Sequence, residues 1–183
     1  FSKGFIEILA AVQSYDDKSG WYAGTADAVR KNFIHFERQE PEQYMILSGD
    51  QLYRMDLQEF LRVHKESGAD ITVAATPVTR EAANDLGILK TDSSGRIDSF
   101  EEKPGPDKNI SHLKIPEGFS QKEGREQGKE YLASMGIYIF NREIMTGFPD
   151  TFGFASRRSI FGGSRGGRRI DIDLSANSFE SLL

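Results

Sequence analysis

A carboxylate that follows a glycine at the end of an apolar run is the place where this sequence could handle a metal ion or a phosphate. Residues 44–50 are Tyr-Met-Ile-Leu-Ser-Gly-Asp, so Asp50 comes directly after Ser48 and Gly49. A near-continuous apolar run is typical of a buried strand, and open α/β sheets bind ligands beyond the carboxyl ends of such strands. Gly49 lets the backbone turn and lets a ligand come close. Asp50 is therefore a candidate metal ligand, although an aspartate that caps the next turn would give the same local pattern.

A second group with possible chemistry is Glu102-Lys103-Pro104, at the end of another β-like run. A lysine ammonium is a compact charge that suits a phosphate group. Pro104 favours an extended backbone at Lys103, so we expect the lysine to project from a fixed frame. A solvated Glu-Lys pair at a strand end is the common alternative.

Several other chemistries are not indicated. The chain has no cysteine, which excludes a disulfide framework, a thiolate nucleophile and a zinc-thiolate site. His35, His64 and His112 are isolated and lack metal-ligand spacing, so we interpret them as surface or structural residues. Ser48 has no histidine and aspartate arranged as nucleophile partners, which argues against hydrolase chemistry.

The composition indicates one soluble, globular domain. The chain has 183 residues, of which 38% are hydrophobic and 28% charged. No apolar stretch approaches the ~20 residues that span a bilayer, and the net charge of −5 gives no general affinity for nucleic acid or anionic membranes. We therefore expect neither as a partner, and the lack of cysteine fits an intracellular protein. Because the sequence opens at Phe1 inside an apolar segment, we expect it to be a piece of a longer protein.

Strands alternate with helices along the chain, which predicts a doubly wound α/β sheet. Strands are predicted over residues 44–48, 70–76 and 132–140, and residues 5–12 favour a strand over a short helix. Helices are predicted over about 25–37, with Thr25 as N-cap, and over 56–67, with Gly68 as the stop. Residues 88–91 and 97–100 flank a turn and predict a hairpin, and 104–129 predict a long polar loop.

The end of the chain has a different character. Residues 154–169 are dominated by Ser, Gly and Arg and show no clear period, which is typical of a flexible tail or loop. Arginine-glycine segments can bind single-stranded nucleic acid, but one short stretch is weak support for that role. We divide the chain into a domain at 1–153 and an atypical tail at 154–183 that ends in a short helix.

Four segments in this order closely resemble the ADP-glucose pyrophosphorylase family (glucose-1-phosphate adenylyltransferases). They are residues 21–29, 47–56, 100–104 and 132–138. The resemblance covers roughly residues 1–152 and implies a Rossmann-like, mixed, mostly parallel sheet flanked by helices, the nucleotide-diphospho-sugar transferase fold, truncated at both ends. It implies a Mg²⁺-dependent reaction of ATP with glucose 1-phosphate that gives ADP-glucose and pyrophosphate for glycogen or starch synthesis. It also implies a homo- or hetero-tetrameric parent, located in the cytoplasm or, in a plant or alga, in the plastid.

The resemblance assigns a role to each matching residue. Asp50 would bind the metal, and Asp171 falls at the place of the family's second metal-binding aspartate. Asp50 and Lys103 would be the catalytic pair. The nucleotide would lie against Tyr22, Gly24, Thr25 and Gly49. The sugar phosphate would lie against Gly87, Glu102, Lys103 and Ser134, with Gly87 admitting the sugar ring and Lys103 meeting the phosphate.

Two departures keep other functions open. The first is that the family's glycine-rich loop, whose arginine and lysine grip the triphosphate, is not in this sequence, and neither is its left-handed β-helix domain. The second is the tail, where the segment that leads to Asp171 is shorter than in the family and foreign in composition. A catalytically inactive regulatory subunit of the same fold is therefore a second hypothesis. A relative that uses another nucleoside triphosphate or sugar phosphate is a third.

Overall fold

The computed structural model describes residues 4–10, 22, 25–49, 55–117, 119, 128–146 and 170–173. The helices are α1 (Thr25–Lys31), α2 (Phe33–Glu37), α3 (Leu57–Ser67) and α4 (Arg142–Thr146), with short 3₁₀ turns at Ala82–Asp85 and Ser111–Leu113. The strands are β1 (Gln43–Ile46), β2 (Ile71–Val78), β3 (Gly87–Thr91), β4 (Ile97–Glu102), β5 (Tyr131–Asn141) and β6 (Ile170–Asp173).

β5 is the centre of the sheet. One of its edges pairs with β2, and the other edge pairs first with β3 and then with β1. β4 pairs with β3 beyond, and β6 pairs with β2 on the opposite side. Four of the five described ladders are antiparallel and only the β2–β6 ladder is parallel.

This pairing confirms the α/β class but differs from the mostly parallel sheet that the sequence suggested. β1 and β2, which are joined through α3, do run in the same direction, as a crossover connection requires. β5 is inserted between them and runs the opposite way, so each of its neighbours pairs with it in the antiparallel sense. The order of elements along the sequence carried no sign of this insertion.

Helices cover both faces of the sheet, as the doubly wound pattern predicts. On one face, Val29, Phe33 and Phe36 from α1 and α2 pack on a core that includes Val73 and Phe140. On the other face, the core is built by α3 and the alternate strand positions, with the members Phe60, Ala74, Met135, Ile137 and Ile139. Because β2 is buried on both faces, its sequence is an almost continuous apolar run.

The α3 prediction is confirmed at both ends. The Asp56 carboxylate caps the helix by accepting from the backbone N of Gln58 at 2.9 Å and of Glu59 at 3.1 Å. Gly68 ends the helix with φ of 62°, the left-handed conformation that glycine adopts without strain. Phe60 and His64, one turn apart, are the buried residues of this helix.

The helix predicted over 25–37 is broken at Asn32. Its side-chain amide donates to the carbonyl of Ala28 and to the Tyr22 hydroxyl, both at 2.8 Å. Its backbone has φ of −101° and ψ of 4°, which does not continue a helix. Asparagine competes with the helix in this way because its amide can bond to nearby backbone groups. The result is a seven-residue α1 and a five-residue α2.

The remaining predictions have mixed outcomes. The hairpin is confirmed as β3 and β4, with the Asp92 carboxylate accepting from the backbone N of Ser94 and Arg96 across the turn. The strand predicted over 5–12 is wrong for the described residues 4–10, which pair with no described strand and leave Phe5, Ile6 and Ile8 exposed. Residues 154–169 and 174–183 lie outside the described part of the chain. Among the helices described, none has the length and apolar character needed to cross a membrane.

Candidate functional site

The register of the sheet lines up three of the predicted sugar-phosphate residues. β3 pairs Gly87 directly with Glu102 of β4. β3 also pairs Ile88 with Ala133 of β5, and continuing this register by one residue sets Gly87 beside Ser134. Opposite residues of antiparallel strands project to the same face. Ser134, Gly87 and Glu102 therefore form one row across three strands, which we call the Ser134 row.

Gly87 is a glycine because its neighbours occupy the space of a side chain. An ideal Cβ at Gly87 would lie 2.4 Å from Cζ of Phe100 and 3.1 Å from Oε2 of Glu102. The sequence suggested that this glycine admits a sugar ring. In the structure, the ring of Phe100 and the carboxylate of Glu102 fill that space instead, and the exposed Glu102 side chain lies over the Gly87 backbone.

Lys103 leaves the sheet at a sharp corner. Its φ is 42°, in the left-handed region that a residue with a Cβ adopts uncommonly. The extended conformation expected from Pro104 is therefore wrong. Two backbone hydrogen bonds set the corner: Lys103 N donates to Leu86 O and Gly105 N donates to Asn84 O, both at 3.1 Å. The lysine does project from a fixed frame, but tertiary hydrogen bonds supply that frame.

A bulge in β5 lies next to the Ser134 row. Val73 of β2 pairs with Tyr138 and Ala75 pairs with Ser134, so β5 holds two extra residues between these pairs. Gly136, in the bulge, has φ of 71°, which glycine adopts at no steric cost. The hydroxyl of Ser134 accepts from Gly136 N at 3.3 Å and lies 3.3 Å from the Tyr138 hydroxyl.

The carboxyl end of β1 reaches the same bulge. A Cβ at Gly136 would meet Cβ of Ser48 at 3.6 Å, an ordinary contact. β1 therefore ends, and β3 begins, against one short stretch of the β5 edge, with Ser48 on one side of the bulge and Gly87 on the other. Asp50 lies outside the described residues, two positions after Ser48.

Of the predicted nucleotide residues, Thr25 begins α1, the helix that packs on this face of the sheet through Val29. The Tyr22 hydroxyl accepts from Asn32 at 2.8 Å and donates to the carbonyl of Ala10 at 3.4 Å. These described contacts tie Tyr22 to its structural neighbours rather than to the Ser134 row. Thr25 is exposed at the first position of α1, and Gly24 lies outside the described residues.

The backbone does not bring Asp171 to the end of β1. Asp171 pairs with Thr72, and that row continues through Ile139 to Met45. Three strand spacings of ~4.8 Å and four residue rises of ~3.3 Å then separate Asp171 from Gly49, or on the order of 20 Å. In the described part of the chain, no group of three or more His, Cys, Asp and Glu residues could hold a metal ion. Because Asp50 lies outside the described residues, the metal site shared by Asp50 and Asp171 stays a prediction.

His64 has a structural role, as the sequence suggested. The Asn141 amide donates to Ala69 O at 3.0 Å, so its oxygen accepts from His64 Nε2, also at 3.0 Å. Nδ1 is then left to accept from the Thr72 hydroxyl at 2.7 Å. Burial lowers the pKa of this imidazole, which favours the neutral form that the hydrogen bonds require.

Sequence reasoning missed two residues that shape the site. Phe100 packs over Gly87, and the hairpin register could have indicated this because the two residues are diagonal neighbours on one face. Arg80 contacts the loop that follows Lys103, and nothing in the sequence signalled this contact.

Two comparisons with known proteins match this sequence. A family model described as "Nucleotidyl transferase" matches residues 1–149. A curated relative from Triticum aestivum, named glucose-1-phosphate adenylyltransferase small subunit, chloroplastic/amyloplastic, is 38% identical over 186 residues. That alignment covers 99% of this chain but 39% of the relative, so the chain spans about two fifths of the relative's length. Both matches confirm the resemblance drawn from the four motif segments.

Proposed function

The chain belongs to the nucleotidyl transferase family, and from that premise we propose that it is part of a glucose-1-phosphate adenylyltransferase. The reaction would join ATP and glucose 1-phosphate to give ADP-glucose and pyrophosphate, in glycogen or starch synthesis. The four motif segments and the wheat relative, whose name carries this activity, support the substrate assignment.

One observation carries the proposal: the sheet gathers predicted site residues from four separate segments of the chain. The Ser134 row joins Gly87, Glu102 and Ser134, with Lys103 at the adjacent corner, and Ser48, which precedes Gly49, lies against Gly136 in the bulge. Glu102, Lys103 and Gly49 are exposed and Ser134 is half-buried, so a ligand can reach them. A glutamate and a serine hydroxyl in one row of the sheet, with a lysine at the adjacent corner, suit a sugar phosphate, since the first two bond hydroxyls and the third meets the phosphate charge.

Each site residue would have its own role in the reaction. Lys103 holds the phosphate of glucose 1-phosphate, while Glu102 accepts hydrogen bonds from sugar hydroxyls and Ser134 adds a hydroxyl. An oxygen of that phosphate attacks the α-phosphorus of ATP in line, and pyrophosphate leaves as the new P–O bond forms. Such a reaction depends on positioning and on neutralisation of phosphate charge. Asp50 would hold Mg²⁺, and the positive charge of this ion would neutralise part of the phosphate charge. Tyr22, Gly24 and Thr25 would lie along the nucleotide.

The experiment that tests this proposal is turnover by the intact parent protein with Asp50→Ala. We expect most turnover to be lost while the urea unfolding midpoint stays unchanged, because Asp50 would act on the metal and not on the fold. Asp98→Ala is the matched control, since Asp98 is an exposed aspartate that pairs with Lys90 at 2.9 Å on the far part of the hairpin. Near-full kcat in Asp50→Ala would contradict the metal assignment.

Turnover with different nucleotides separates the proposal from its alternatives. Preference for UTP or dTTP over ATP would replace ADP-glucose with another nucleotide sugar. Binding of ATP and glucose 1-phosphate without turnover by the intact parent would favour a regulatory subunit. We also propose a plastid location and assembly into a tetramer; the relative's name, a chloroplastic/amyloplastic small subunit, supports the location and is compatible with assembly. A fluorescent fusion of the parent outside plastids, or a monomeric mass in light scattering, would contradict these two points.

A further inference from the structure

The side chain of Arg80, which follows the end of β2, makes several hydrogen bonds to the loop that follows Lys103, and Lys108 of that loop also pairs with Glu101. The Nη2 atom of Arg80 lies 3.1 Å from the carbonyl oxygen of Gly105, 3.2 Å from that of Pro106 and 2.8 Å from that of Lys108. Three acceptors surround a nitrogen that carries two hydrogens, so at least one hydrogen is shared. The loop therefore folds around this cation.

The same guanidinium also reaches the segment on which the corner rests. Its Nη1 donates to the side-chain oxygen of Asn84. Asn84 in turn offers its backbone carbonyl to Gly105 N, and Leu86 offers its carbonyl to Lys103 N. Residues 84–86 supply the acceptors of the corner and residues 103–108 form the loop. Arg80 thus connects these two segments through one planar group. A guanidinium is suited to this because its donors are fixed in a fork, whereas an ammonium is a single point charge.

A fixed corner matters for Lys103 because its backbone conformation is uncommon. A residue with a Cβ keeps φ of 42° only where its surroundings hold it there. The Lys103 side chain is exposed, so its ammonium is placed by the backbone from which it projects. If the loop relaxed to an ordinary conformation, the ammonium would move relative to the Ser134 row.

We propose that Arg80 is a positioning residue for the sugar-phosphate site: it orders residues 103–108 and thereby aims Lys103 at the phosphate of glucose 1-phosphate. This inference rests on the proposed function for its ligand. Arg80 itself touches no substrate, and it acts through the three loop carbonyls and Asn84.

The first test follows the loop without any ligand. Amide hydrogen exchange of Gly105 N–H should become about tenfold faster or more in Arg80→Ala, because the hydrogen bond to Asn84 O opens more often. Arg80→Lys should not restore the protection. Arg62→Ala is the matched control, since Arg62 is an arginine on α3 that also bridges two partners, Glu59 and Glu66, far from the loop. Unchanged exchange in Arg80→Ala would overturn the ordering role.

The second test measures binding of glucose 1-phosphate and of ATP to the intact parent by calorimetry. Arg80→Ala should weaken glucose 1-phosphate binding about tenfold while ATP binding stays within about twofold, because only the lysine corner has moved. Equal loss for both ligands would indicate a general structural defect and overturn the inference. Wild-type affinity for glucose 1-phosphate in Arg80→Ala would also overturn it and leave the proposed function standing. Failure of the wild-type parent to bind glucose 1-phosphate would instead refute the proposed function, and the inference with it.

Discussion

Replacement of Gly87 by alanine is the sharpest test of how the Ser134 row is built. A Cβ there would lie 2.4 Å from Cζ and 2.7 Å from Cε2 of Phe100. Carbon atoms in good contact are about 3.5–4.0 Å apart, so the Phe100 ring has to move by more than about 1 Å. The ring is partly buried and packs against the core, which limits how far it can move.

The size of the effect follows from two opposing contributions. Overpacking of this kind costs about 1–3 kcal/mol. Alanine in place of glycine inside a strand returns about 0.5–1 kcal/mol through the lower entropy of the unfolded chain. The difference between these contributions spans about 0–2.5 kcal/mol, and we expect Gly87→Ala to lower the free energy of unfolding by about 1 kcal/mol, measured by urea denaturation. Because Glu102 Oε2 lies 3.1 Å from the new methyl group, binding of glucose 1-phosphate should weaken as well.

Two further variants decide whether the crowding is the cause. Gly49→Ala is the stability control, since nothing lies within 4 Å of its added Cβ, and it should change stability by less than about 0.5 kcal/mol. In Gly87→Ala/Phe100→Leu the smaller side chain should recover about 1 kcal/mol relative to the sum of the single variants. A Gly87→Ala protein as stable as the wild type, or additive effects in the double variant, would refute this reasoning.

Three other predictions concern the surroundings of the site. Burial lowers the pKa of His64, so the unfolded chain binds a proton at this imidazole more readily than the folded chain does. The contribution of His64 to stability should therefore be full above about pH 6.5 and be lost as the pH falls below that value. Urea denaturation should show a weaker loss in His64→Gln, and the same loss of stability with pH in both proteins would contradict the assignment. Tyr22→Phe should lower stability by about 1 kcal/mol through loss of the bond from Asn32 to the hydroxyl. ATP affinity in the parent should stay within about twofold, because the variant keeps the ring that would lie along the nucleotide; a large loss of ATP affinity with unchanged stability would show that the hydroxyl acts on the nucleotide instead. Gly136→Ala should cost about 1–2 kcal/mol in thermal or urea unfolding, because its φ of 71° is the source of strain rather than the ordinary contact with Ser48; a neutral result would mean that the bulge rearranges.

Local signals in the sequence were sufficient to predict helix ends and turns where a residue type has one common structural role. Asp56 and Gly68 marked the two ends of α3, and the Asp92–Gly95 turn marked the hairpin. Helical spacing placed Phe60 and His64 on one buried face. Each of these outcomes depends on contacts within a few residues along the chain, which a pattern in the sequence can express.

What the sequence did not express were contacts between distant segments. The insertion of β5 between β1 and β2 depends on pairing between residues almost a hundred positions apart. The corner at Lys103 depends on carbonyls of residues 84 and 86, which overrode the preference that Pro104 imposes. Asn32 broke a helix that propensity allowed because Tyr22 was within reach of its amide. In each case the outcome depends on a hydrogen bond to a residue that the local pattern does not indicate.

The central position of β5 also determines the order in which this sheet can be assembled. During synthesis β1, β2 and the β3–β4 hairpin leave the ribosome before β5, the strand that joins them. The edge of β1 that pairs with β5 stays without this partner until residue 141 has been made, since β1 pairs with the last residues of β5. Sheets that depend on such distant pairing fold slowly and expose unpaired edges on the way. Premature termination before Tyr131 would thus release strands whose shared partner was never made, and we expect such products to aggregate rather than to fold.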